Sequence, residues 1–310
     1  MTGKPVAILG VFVADTAYRA ERQPRMGETI LGRAFALGPG GKGSNQAVAA
    51  ARAGGNVRML TKLGRDTFAE MALQTWAEAG VKPEVTRHAE GYTGAAYIFV
   101  EEATGENAII VCPGIARTIS PQDVERWREA IATSGVFMTQ LEQPLDAAQR
   151  ALAIAREAGA VTILNPAPAA PLPAGMLALC DYVTPNESEA EALTGVSVAS
   201  LSDAERAADA LLAQGARAAV ITLGERGALY RDGARTVHVP AFDAGPVVET
   251  TGAGDAFNGG FAVALSEGAD PVEAVRFGCA TAAISVTRPG TAPSMPRREE
   301  IEALLSGAGG

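Results

Sequence analysis

The chain has 310 residues, enough for one large domain or two small ones. A net charge of −9 sets nucleic acid and anionic membranes aside as partners, because neither attracts such a surface. Hydrophobic residues make up 47% but aromatics only 5%, so the core must be built from Ala, Val, Leu and Ile, as in a buried parallel sheet flanked by helices.

In chain order, Pro5 to Gly10 reads as a short first strand ending at glycine. Residues 14–32 are polar and irregular. An Ala-rich helix is expected from Ser44 to Gly54, a strand over Val57–Leu63, and a helix over Asp66–Ala79 stopped by Gly80. Thr93–Cys112 breaks the pattern with two apolar stretches around Ala103-Thr104-Gly105, a hairpin signature. Strands are then expected at Val136–Leu141, Val161–Asn165, Tyr182–Thr184 and Ala219–Leu223. Helices fall between them at Asp146–Glu157, Glu187–Leu193 and Asp203–Gln214. Ala228–Val239 reads as a second hairpin around Asp232-Gly233, and three helices starting near Asp255, Pro271 and Pro296 close the chain. This alternation predicts a mainly parallel sheet covered on both faces.

The three cysteines, Cys112, Cys180 and Cys279, are far apart and lie in apolar contexts, so they read as buried small hydrophobes and not as a disulfide or zinc framework. The two histidines, His88 and His238, lie outside the glycine turns and read as surface residues. There is no charged-plus-apolar leader and no apolar run of bilayer length, so the cytoplasm is the expected compartment.

Two glycine-rich turns carry the chemistry. Gly38–Ala50 reads GPGGKGSNQAVAA and enters a helix with Lys42 and Asn45; an ammonium and an amide suit a polyhydroxylated ligand. About 200 residues later, Thr250–Ala262 reads TTGAGDAFNGGFA, a turn that runs into a helix carrying Asp255. Glycines admit an anion close to the backbone, and a helix N-terminus adds free N–H groups and a positive dipole end. Together they form a phosphate site. An acid there either caps the helix or takes a proton from a hydroxyl that attacks phosphorus. There is no GxxxxGK[ST] loop, and Gly10-Val11-Phe12 does not supply the glycine turn of a dinucleotide-dependent dehydrogenase.

Beyond these turns come Ala7-Ile8-Leu9-Gly10 with Asp15, MTQLEQPL around Glu142, LNPAPA from Leu164, TPNESEAEALTG from Thr184, ITLGERGA from Ile221 and SVTRPGTAPSMPRREEI from Ser285. In that order, over nearly the whole chain, they resemble the ribokinase family of phosphofructokinase-B-type carbohydrate kinases. The resemblance implies a three-layer α/β fold with a small β-sheet lid made by segments 14–32 and 93–112, packed on the lid of a second subunit in a homodimer. It implies an ATP-dependent sugar kinase with Asp255 as general base and Gly252, Ala253 and Gly254 holding the transferred phosphoryl group. The sugar would be met by Asp15, Gly41, Lys42, Asn45 and Glu142. The nucleotide would be met by Asn186, Thr222, Gly224 and Gly227, with Glu189 organising magnesium through water. Asn186 and Glu189 also fit an ordinary capping box. A potassium ion would take Glu249 and positions Thr251, Ser285, Arg288, Gly290 and Ser294.

Two positions depart from the family pattern. Members acting on ribose typically carry Asn two residues before the Asp15 position, where this chain has Val13; the change raises 2-deoxyribose or another small sugar as the substrate. Potassium-using members typically carry Asp where this chain has Glu249. Fructose, a nucleoside or a phosphosugar are further candidate acceptors, although few aromatics disfavour a nucleoside. A silent sugar-binding regulator on the same fold is disfavoured by the intact Gly252–Asp255 turn. Arg19, Arg22 and Arg25 read as a solvated face of the lid.

Overall fold

The computed structural model describes residues 3–88 and 90–307. The chain runs β1 (Val6–Leu9), β2 (Val13–Ala20), β3 (Ala34–Gly40), α1 (Lys42–Arg52), β4 (Val57–Leu63), α2 (Thr67–Ala79), β5 (Lys82–Arg87), β6 (Thr93–Glu101) and β7 (Asn107–Gly114). It continues through α3 (Pro121–Arg126), α4 (Arg128–Ala132), β8 (Val136–Thr139), α5 (Leu145–Glu157), β9 (Val161–Leu164), β10 (Tyr182–Val183), α6 (Glu187–Thr194), α7 (Leu201–Ala213) and β11 (Ala218–Thr222). It ends with β12 (Ala228–Asp232), β13 (Thr236–Val239), α8 (Ala253–Ser266), α9 (Pro271–Ser285) and α10 (Arg298–Gly307).

A nine-stranded sheet has the order β13-β12-β11-β10-β9-β8-β1-β4-β5. Its strands are parallel from β11 to β5, and the β12–β13 hairpin adds an antiparallel edge. Side chains alternate across it. Val6, Ile8, Met59 and Met138 join one core with α1, α2, α8 and α9; Ala7, Leu9, Leu60 and Phe137 join another with α5 and α7. Burial on both faces explains why the strands read as continuous apolar runs.

A separate four-stranded sheet, β3-β2-β6-β7, carries what the sequence left as irregular. Val13–Ala20 is a full strand, paired antiparallel to β3 and parallel to β6. Asp15, Thr16 and Arg19 interrupt its apolar residues and hid it, because one face meets solvent and the strand is held by neighbours far away in sequence. The Thr93–Cys112 hairpin is present as β6 and β7, and the second hairpin as β12 and β13. Strand β5 and helices α3 and α4 were not anticipated; β5 contains a proline and sits at the sheet edge, where a missing N–H is tolerated. The last helix starts at Arg298, two residues after Pro296. Cys112 corrects the reading of buried thiols: it lies on β7 and is exposed, while Cys180 and Cys279 are buried. Both histidines are half-buried, and His238 Nε2 lies 2.7 Å from the Arg226 carbonyl. Among the described residues no helix is long and apolar enough to cross a membrane.

Candidate active site

Helices α1 and α8 start side by side above the carboxyl ends of β1, β8, β9 and β10, the crevice where open α/β sheets place ligands. Small residues let them meet. A Cβ on Gly259 of α8 would fall 2.5 Å from the Ala49 Cβ and 2.7 Å from the Ala50 nitrogen of α1, so only glycine permits this approach. The turn before α8 ends at Gly252, whose φ of 83° is the left-handed conformation that glycine adopts without strain. The first N–H groups of α8 then face outward with the dipole behind them.

That packing puts Asp255 against the start of α1. Asn45 Nδ2 donates to Asp255 Oδ2 at 3.0 Å and Gln46 Nε2 donates to Oδ1 at 3.0 Å. The carboxylate is buried, which raises its pKa; the Lys42 charge and the two amide donors act in the opposite direction. Asn45 Oδ1 is buried with no protein partner, so an acceptor faces inward beside the acid.

Glu142 follows β8, and its Oε2 accepts the Lys42 backbone N–H at 2.8 Å. Burial pushes its pKa up to about 7 against the pull of Lys42. Asp15, on β2, has its pKa raised to about 6 by burial. Its carboxylate lies over Gly40, where a Cβ would come within 2.2 Å of Oδ2. Val13 is only 4% exposed and pairs with Gly40 on one side and Gly94 on the other. Asn45 bonds Asp255, Lys42 and Glu142 act on it through their charges, and Asp15 acts on Glu142, with Gly41 immediately before Lys42.

One cavity is lined by Lys42, Asn186, Glu189, Thr222, Gly252, Gly254 and Asp255, drawn from both glycine turns and two strand ends. Asn186 and Glu189 do form a capping box: Asn186 Oδ1 accepts from Glu189 N at 2.8 Å, and Glu189 Oε2 accepts from Asn186 N at 2.9 Å. The box and the cavity wall are the same residues. Burial raises the Glu189 pKa, opposed by the Asn186 N–H and by Lys42. Gly224 and Gly227 fall outside the cavity lining, in the turn that follows Thr222. Glu249 Oε2 accepts from Gly290 N at 2.8 Å, and the Val248 and Glu249 N–H groups both bond the Val286 carbonyl. These bonds tie the segment containing Thr251 to the one containing Ser285, Arg288 and Ser294. Arg22 is paired with Glu28 at 2.6 Å, outside the cavity.

Residues without an assigned role in the sequence also reach the site. Asn165, Thr184 and Asn258 line the cavity. Thr184 Oγ1 donates to Asn258 Oδ1 at 2.6 Å, and Asn258 Nδ2 donates to the Gly254 carbonyl at 2.8 Å. Gln46 contacts the acid directly. Their signal was adjacency: Gln46 follows Asn45, Asn258 lies one turn after Asp255, and Asn165 sits in LNPAPA.

Comparison with known proteins identifies the family of the fold. The family model described as pfkB family carbohydrate kinase matches residues 5–298. A ribokinase of Haemophilus influenzae is 38% identical over 98% of this chain and 99% of its own. A deoxyribokinase of Salmonella typhimurium is 37% identical over 97% of this chain and 98% of its own. The structure of Arabidopsis thaliana ribokinase complexed with ribose and ATP superposes with a TM-score of 0.92 at 29% identity, covering 98% of this chain and 99% of that one. With its three-layer fold and second small sheet, the chain belongs to the pfkB family of carbohydrate kinases.

Proposed function

We propose that the protein transfers the γ-phosphate of ATP to the primary hydroxyl of a small pentose, ribose or 2-deoxyribose. The observation that carries this reading is the buried Asp255 at the start of α8, held by Asn45 and Gln46, with Asn45 Oδ1 left as an unpartnered acceptor beside it. A sugar hydroxyl satisfies that acceptor. Asp255 accepts the hydroxyl proton, the freed oxygen bonds to the γ-phosphorus, and the bond to the bridging oxygen breaks to release ADP. The Ala253 and Gly254 N–H groups stabilise the charge on the transferred group. Asp15, Lys42 and Glu142 hold the remaining hydroxyls and set the primary one toward Asp255.

The nucleotide phosphates enter the cavity between Asn186, Thr222 and Gly252. Glu189 suits a magnesium ion: among the described residues only its Oε2 is engaged, which leaves an oxygen for a metal-bound water. Magnesium, when bound, offsets the phosphate charge in an acidic protein. Glu249 suits a monovalent cation beside the phosphate turn, since among the described residues only its Oε2 is engaged, by Gly290. Equal rates in potassium and in a large organic cation would remove that part of the reading.

Val13 favours 2-deoxyribose as the second acceptor. It is an apolar, buried side chain in the strand that carries Asp15, and a sugar hydroxyl facing it would forgo a hydrogen bond costing about 1–3 kcal/mol. The exposed apolar side chains of the small sheet, Tyr18, Phe35, Leu37, Ile109, Ile110 and Val111, suit a second copy of the chain, making that sheet both lid and dimer contact. The cytoplasm, where ATP is available, is the proposed compartment. The test is ADP release with Mg-ATP over ribose, 2-deoxyribose, arabinose, xylose, fructose, adenosine and fructose 6-phosphate, with Asp255→Asn as control. A sugar-dependent signal lost in the variant supports the kinase; strong preference for ribose over 2-deoxyribose removes the Val13 reading.

A further inference from the structure

Behind Asp255 lies a chain of buried side-chain amides that the reaction above does not use. Gln46 Nε2 donates both to Asp255 Oδ1 and to Asn165 Oδ1, each at 3.0 Å. Gln140 Nε2, just beyond β8, donates to Gln46 Oε1 at 2.5 Å. Asn165 passes its own N–H to the Thr184 carbonyl at 2.9 Å. Gln46 and Gln140 have no exposed surface, so neither touches the substrates.

The direction of this chain is forced. An ionised carboxylate only accepts, so Gln46 must turn its NH2 toward Asp255. Its oxygen then faces away and needs a donor, which Gln140 supplies. Gln140 Oε1 is left without a partner, lodged where a Cβ on Gly10 or Gly43 would come within 2.8 Å of it. Unsatisfied buried acceptors are rare in folded proteins because they forfeit their hydration. The fold accepts one here, two residues removed from the acid, and keeps the donor on Asp255 intact.

We propose that Gln46 is the positioning residue for the catalytic base: it fixes the orientation of the Asp255 carboxylate, and Gln140 dictates which way the Gln46 amide points. The inference rests on Asp255 being the base. Among the described residues, the charged groups acting around that carboxylate are Lys42 on α1, Glu142 after β8 and Glu189 on α6. All three stay in place in the test.

The test is steady-state kinetics with Mg-ATP and with ribose and 2-deoxyribose, for Gln46→Met, Gln140→Met and Asp255→Asn. Methionine keeps length and removes both donor and acceptor. For Gln46→Met we expect kcat to fall about 10- to 100-fold, the usual effect of losing a hydrogen bond to a charged group. The sugar KM should stay within about twofold, because Gln46 is fully buried behind the carboxylate and makes no contact with the sugar. The acid limb of kcat/KM against pH should move to higher pH, since a donor that favoured the ionised form is gone. Gln140→Met should change kcat and the limb in the same direction by less, and it carries the test if Gln46→Met lacks a cooperative melt. Folded variants with unchanged kcat and an unmoved acid limb overturn the proposal, as does a raised KM with unchanged kcat. If Asp255→Asn keeps wild-type turnover, the base assignment fails with it; if that variant is dead while the glutamine variants are unaffected, only the positioning role fails.

Discussion

Around Asp255, polar side chains are buried and linked by hydrogen bonds, with Asn45 Oδ1 and Gln140 Oε1 left unpartnered, and helices α1 and α8 touch through glycine and alanine. The small sheet next to it does the reverse: regular strand pairing joins its four strands, while Tyr18, Phe35, Ile109, Ile110 and Val111 stand exposed. The first region is complete within one chain and places its side chains through short, directional contacts. The second pairs its strands side by side but leaves two open edges and apolar surface without a cover. Precise placement around Asp255 and incompleteness of the sheet are therefore separate properties, and substitutions should separate them.

The largest effect is expected at the acid. Asp255→Asn should lower turnover about 10²- to 10⁴-fold, the span of general-base catalysis. Thermal melting should show no loss of stability at pH 8, because burial raises the acid's pKa and ionising it in the fold is unfavourable. A variant that lost activity only by unfolding would contradict the catalytic role.

Next comes the helix contact. Gly259→Ala should push α8 from α1 and destabilise the fold by about 1–3 kcal/mol, the range for overpacking. It should also lower kcat, since Asn45 and Asp255 lie across that contact. Denaturant titration and turnover together test it, and a change in stability alone would show that the site tolerates the shift.

Glu142→Gln should trade affinity for stability. The Glu142 pKa is about 7 in the fold, above its ordinary value of 4.5. Between those values the folded state holds a proton that the unfolded state has lost, so this group's contribution makes stability fall as pH rises. Neutralising it should stabilise the protein by about 1–2 kcal/mol at pH 8, allowing for partial exposure, and by nothing at pH 4. The sugar KM should rise, because one carboxylate acceptor is gone. Melting curves across pH check the sign; a variant less stable at pH 8 than wild type would refute it.

The smallest effect on the folded monomer is expected in the exposed sheet. Ile110 is 62% exposed, so Ile110→Asp should change monomer stability by less than about 0.5 kcal/mol. Sedimentation should nonetheless shift toward the monomer if a second copy covers that face. An unchanged sedimentation profile would leave the sheet without a partner of this kind.

Much of the fold was legible because its signals are local. The alternation of apolar runs and amphipathic segments predicted the parallel strands from β8 to β11, and Gly80 marked the end of α2 through its left-handed C-cap. Strands β2 and β3 were missed because their partners are non-local and one face meets solvent: Tyr18 pairs with Phe35 on one side and Phe99 on the other. Cys112 looked buried because Ile109, Ile110 and Val111 precede it, but all four sit on β7 at the open edge of the small sheet. For Asn186 and Glu189 the capping box is present, and it engages the single Asn186 oxygen and one Glu189 oxygen while both residues line the cavity.

By itself the sequence determined the two glycine turns, the acid at the start of α8 and the α/β alternation, because backbone freedom, helix starts and hydrophobic period are encoded within a few residues. Only the tertiary structure decided which amides hold that acid. Gln46 meets Asp255 across 209 positions and Asn165 across 119, and such meetings depend on how closely two helices pack. A hydrogen bond is made or lost within a few tenths of an ångström, a distance that composition and spacing do not carry.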